Sequence, residues 1–117
     1  MKPLHKYPLL ILFMFVMLFT VTVQAQDDTM FDKKANELVR AYQADLGLTI
    51  EQATEFHKSI KTYLKKREEI NAMSASAADK GKMLKDASDM ETQGMADILD
   101  AKQLKMYKKL KKDLQPL

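Results

Sequence analysis

Cysteine is absent from the 117 residues. That excludes disulfides, thiolate nucleophiles and zinc sites built on cysteine. Glycine and proline occur three times each, and so few backbone breakers, among many Lys, Glu, Asp, Ala and Leu, favour helices over strands. Histidine is almost missing: beyond the first 25 residues only His57 remains. There is no His-x-x-x-His or His-Glu-x-x-His pattern, Glu55 and His57 do not share a helical face, and no metal site is expected. Ser59, Ser74, Ser76 and Ser88 lack a Gly-x-Ser-x-Gly setting, and a single histidine could scarcely serve a nucleophile. No glycine-rich phosphate loop exists either. The sequence therefore predicts no enzyme and no cofactor.

What is present begins with a leader. Lys2, His5 and Lys6 precede an unbroken apolar run from Leu9 to Phe19, and Val23-Gln24-Ala25 places short residues where a signal peptidase cuts. This is the three-part pattern of a secretory signal. The apolar stretch is shorter than the ~20 residues of a spanning helix, so residues 1–25 are expected to be removed, leaving an exported, periplasmic or secreted domain over 26–117 with no stable membrane anchor. Without Lys2 and Lys6, 17 basic residues face 16 acidic ones, and this near-neutral balance argues against nucleic acid as a partner. A domain of this size buries a modest core that no disulfide can staple, so a homodimer is expected.

Four helices are legible beyond the leader. Phe31, Ala35, Leu38, Val39, Tyr42 and Leu46 trace one helical face, with Gly47 placed to end the helix. Next, Thr49 and Gln52 have capping-box spacing and Leu48 can act as the hydrophobic staple. The helix they launch carries Phe56, Ile60, Tyr63, Leu64 and Ile70 inward and runs to about Ala72. Residues 73–81 read as a break in which Ser76 and Asp79 can start a third helix, with Met83, Leu84, Ala87, Met90, Met95 and Ile98 on its apolar line. Leu99, Asp100 and Gln103 then repeat the first device, and Leu104, Tyr107, Leu110 and Leu114 face inward until Pro116. Asp86, Asp89, Glu91, Asp97 and Asp100 form an acidic stretch, and Lys105, Lys108, Lys109, Lys111 and Lys112 a basic end.

Leu48, Thr49 and Gln52, with Leu99 and Gln103 as a second copy in which Asp100 replaces threonine, resemble the LTxxQ motif of the Spy/CpxP-like family of small periplasmic proteins. The resemblance implies an all-α fold of about four helices in long helical hairpins, paired into a dimeric cradle. It also implies an ATP-independent chaperone that binds unfolded or misfolded envelope proteins. Two alternatives come with it: a stress-response regulator that binds the ectodomain of a sensor kinase, and a metal-sensing or metal-resistance protein. For a client-binding surface the expected residues are Phe56, Ile60, Tyr63, Met83 and Met90 as adaptable apolar contacts, with Lys61 and Lys65 as a steering rim. The same apolar residues would equally serve as a core, and the lysine clusters as solvated faces.

Overall fold

The structure, a computed structural model, describes residues 28–117. The expected leader and cleavage site, over residues 1–25, lie outside the described residues. Phe31–Leu117 forms one compact unit, built from four helices: α1 over 28–46, α2 (Ile50–Ala72), α3 (Ala77–Ile98) and α4 (Ala101–Leu114). All are α-helices and no strand occurs among the described residues.

Each junction follows from a local chemical cause. Gly47 adopts a φ of 61°, the left-handed conformation in which a Cβ is penalised, and this turns the chain out of α1. Thr49 caps α2, with its Oγ1 accepting from the Gln52 backbone N–H at 3.1 Å while the Gln52 Oε1 accepts from the Thr49 N–H at 3.0 Å. Both halves of the expected box are therefore formed. The break between α2 and α3 is tighter than the nine residues expected: it spans only 73–76, and Ser76 accepts from the Asp79 N–H at 3.1 Å to open α3. Asp100 caps α4 as Thr49 caps α2, accepting from the Gln103 N–H at 2.7 Å and receiving Gln103 on its own N–H at 3.1 Å.

The core gathers one aromatic ring from each of three helices. Tyr42, Phe56 and Tyr107 lie with centroids 5.1, 5.3 and 5.7 Å apart, edge-on or tilted as aromatic quadrupoles prefer. Ala35, Leu46, Leu48, Ile60, Met95 and Leu99 close around them. Helix α2 packs along α3. At 1.5 Å per residue these two extend about 35 and 33 Å, against about 21 Å for α4. The far part of the α2–α3 hairpin therefore outruns α4, and a smaller cluster of Tyr63, Ile70 and Ala87 holds it together.

The glycines allow a paired test of this reading. Gly47→Ala should lower stability by about 1–2 kcal/mol through left-handed strain alone, since a Cβ there meets nothing within 4 Å. Gly81→Ala, in open space within α3, should raise stability by about 0.5–1 kcal/mol. Urea unfolding of the two variants reads both signs.

Candidate functional site

The two LTxxQ-like junctions are built against each other. Gln52 donates to the Gln103 Oε1 at 2.8 Å and to the Ile98 carbonyl at 3.1 Å. Gln103 returns a bond to the Gln52 Oε1 at 3.2 Å and donates to the Leu46 carbonyl at 3.3 Å. Each amide thus spends both N–H groups and accepts twice, once from its own cap and once from the other amide. Every glutamine also covers a carbonyl at the C-terminal end of the helix preceding the other junction, where carbonyls lack helical partners. Leu48 and Leu99 are buried beneath the exchange, and the Gln43 side chain ties α1 to the Leu48 N–H and C=O at 2.7 and 2.9 Å. The motif residues are therefore structural: they clasp one half of the chain to the other.

Next to this clasp lies a buried polar network. The Glu91 side chain has no solvent exposure, and Lys111 Nζ approaches its Oε1 at 3.3 Å. Tyr107 donates its hydroxyl to the same carboxylate, and the Gln115 amide donates to Oε2 at 3.2 Å. Lys111 also donates to the Ser88 carbonyl at 2.7 Å and the Thr92 hydroxyl at 2.9 Å, with Tyr63 and Tyr107 rings near its ammonium. Tyr42 closes the chain of bonds by donating to the Gln115 Oε1 at 2.6 Å. Burial, and then the charge of Glu91, push the Tyr42 and Tyr107 phenols far above their ordinary range. Tyr63 is raised by burial too, against the lowering effect of Arg67. Glu91, named in an acidic stretch, and Lys111, in a basic end, are an interior pair. A charge pair so deep survives because its remaining donors and acceptors are satisfied.

Above the network, on the side of the α2–α3 hairpin away from the aromatic core, a groove of about 650 Å³ runs between the two helices. It is lined by buried Tyr63 and Ala87, by Gly94, by exposed Met90, and by Lys58, Lys65 and Lys66 together with the carboxylates Glu69 and Glu91. Small side chains make the groove: Ser59 and Thr62 on α2 face Ala87 and Gly94 on α3.

The expected client-binding residues divide between interior and surface. Phe56 and Ile60 are fully buried in the core, so they are not part of an accessible surface; helical periodicity put them on an apolar face, and that face is covered by α1 and α4. Lys61 does not rim the groove but pairs with Asp32 of α1 at 2.9 Å. Tyr63, Lys65 and Met90 do come together at the groove. Met83 is exposed at 38% and Met90 at 71%; a heptad apart, they share the outer face of α3. His57 sits half-buried with its Nε2 3.9 Å from the Asp32 carboxylate. No group of three or more His, Cys, Asp or Glu able to hold a metal occurs among the described residues.

Reading from residues alone missed the buried partners Ser88, Glu91, Lys111 and Gln115. A signal for one of them lies in the 51-residue offset between the motif copies: it carries Phe56 onto Tyr107 and Ile60 onto Lys111. Lys111 thus occupies the register of a core isoleucine.

Comparisons with family models, with curated proteins and with solved structures gave no match.

Two measurements test the site's energetics. Gln52→Ala and Gln103→Ala should each destabilise by about 1–3 kcal/mol by stranding the partner amide, and the double variant should cost less than the sum; a thermodynamic cycle from urea unfolding reads the coupling. Alkali should also unfold the protein. The phenols of Tyr42 and Tyr107 ionise at about 10.0 when unfolded but resist ionisation when folded, so the unfolded chain binds fewer protons above that pH. The stability they contribute is full below pH 10 and falls above it, which circular dichroism across pH 9–12 would follow.

Proposed function

We propose that the protein is an exported, ATP-independent chaperone-like protein of the cell envelope, holding unfolded or misfolded proteins in the α2–α3 groove, and that it works as a homodimer. The observation that carries this reading is the character of the groove: apolar lining at Tyr63 and Ala87, an exposed flexible methionine at Met90, and three lysines, Lys58, Lys65 and Lys66, that outnumber the one exposed carboxylate of the lining, Glu69. Unbranched, polarizable methionine adapts to varied apolar partners, and a basic lining attracts acidic, unfolded chains at longer range. The LTxxQ-like pair supports it from a second side, because chaperones of this kind are known in the family that the motifs resemble. The groove reading drops Phe56, Ile60 and Lys61 from the contact set and keeps Tyr63, Lys65 and Met90.

The test uses the chain from Gln26 with a chemically unfolded client, followed by light scattering. Suppression of client aggregation at near-stoichiometric ratios is expected, with a mass that corresponds to a dimer alone and rises with client. Met90→Asp should weaken suppression severalfold while leaving the far-UV spectrum and unfolding midpoint unchanged, because the side chain is solvent-exposed. Absence of suppression across a range of salt would remove the proposal, and recovery of a sensor-kinase ectodomain without clients would replace it with the regulatory alternative.

A further inference from the structure

Of the six lysines on α4, one has been drawn inside and five stay out. Lys102, Lys105, Lys108, Lys109 and Lys112 are all exposed. At 100° per residue they occupy an arc of about 120°, on the side of the helix opposite Tyr107 and Lys111. Among the described residues no carboxylate pairs with any of the five. They also take no part in the groove, whose lysines all come from α2. The strip is thus a concentration of one charge that neither the fold nor the proposed client site uses. Like charges at this spacing repel one another and lower helix stability, so their grouping calls for an external anion.

The form of the strip selects among anions. It is straight and about 15 Å long at 1.5 Å per residue, and exposed Met106 lies beside it on the same helix. Every aromatic ring among the described residues is buried or half-buried, which leaves no open platform for stacking nucleic-acid bases. Asp79, Asp86, Asp89 and Asp97 are exposed on the outer side of α3, so a long polyanion that wrapped the domain would meet repulsion. A second copy offers a poor complement, because that acidic row is interrupted by Lys82 and Lys85. A flat anionic surface meets five lysines against a single carboxylate, the exposed Asp113 at the edge of the arc. We propose that α4 adsorbs, lysine face down, to a bilayer surface carrying anionic phospholipid. Lysine ammoniums would sit among the lipid phosphates, with the Met106 side chain against the interfacial region, as basic amphipathic helices do.

Vesicle co-sedimentation with the chain from Gln26 tests this, so that neither the Leu9–Phe19 run nor Lys2 and Lys6 contributes. Binding to neutral phosphatidylcholine vesicles measures the uncharged background. The excess on vesicles with about one third phosphatidylglycerol measures charge, by the same surface attraction that draws basic segments to anionic leaflets. That excess is expected to disappear at high salt. It should fall about fivefold for each lysine removed and vanish in the variant K102Q/K105Q/K108Q/K109Q/K112Q, whose far-UV spectrum should match the parent. Lys58→Gln with Lys66→Gln, on α2, should change it far less. An excess that survives the five-lysine variant, equal binding to the two vesicle types, or retention by a single-stranded oligonucleotide or polyglutamate in preference to the anionic vesicles would each overturn the proposal. Because client suppression is read without vesicles, failure here leaves the groove reading standing, and failure there leaves this one.

Discussion

The exchange of hydrogen bonds between the Gln52 and Gln103 side-chain amides is the constraint on which the rest of the molecule hangs. Each glutamine completes its own helix cap, bonds its counterpart and covers a carbonyl of the opposite half. A carboxylate could not replace either, since it has no N–H to give; a shorter amide could not reach. The spacing of three between cap and glutamine is what any capping box needs. The pairing of two such boxes is what turns a local device into a tertiary one. It fixes where α2 begins relative to where α3 ends, and hence which residues of the hairpin meet α1 and α4.

From that fixed point the remaining arrangement follows by length. Helices α1 and α4 cover the near part of the hairpin, where the aromatic trio and its neighbours form the core. The other side of the hairpin keeps a groove because Ser59, Thr62, Ala87 and Gly94 are too small to fill it. The Glu91–Lys111 network lies at the boundary between the two regions, with Tyr63 shared between its cation and the groove lining. Packing, polar satisfaction and the candidate site are therefore not separate features; they share Tyr63 and Glu91.

The sequence made the helices legible wherever a local rule sufficed. Both boxes, the Gly47 turn, the Ser76 cap and the end of α2 at Ala72 follow from residues within one helical turn of one another. The absence of strands was equally readable from composition. What stayed hidden was long-range. Periodicity shows that a face is apolar without saying what covers it, which is why Phe56 and Ile60 could be read as surface or core. Charge patterning put Glu91 and Lys111 among like residues and gave neither a partner. Only their partners, 16 to 24 positions away in sequence, bring them inside. The amide exchange itself was out of reach, for a spacing of 51 residues carries no distance in space.

The short link over residues 73–76 contributes nothing to the clasp. Both junctions, the aromatic trio and the Glu91 network are made by groups on either side of it. The molecule is thus two helix–turn–helix pieces that recognise each other, joined by a tether whose role is to hold them at high effective concentration. A chain divided on the α2 side of Ser76 would keep the cap of α3 and every bond of the clasp, and would lose the linkage that holds its two halves at that concentration.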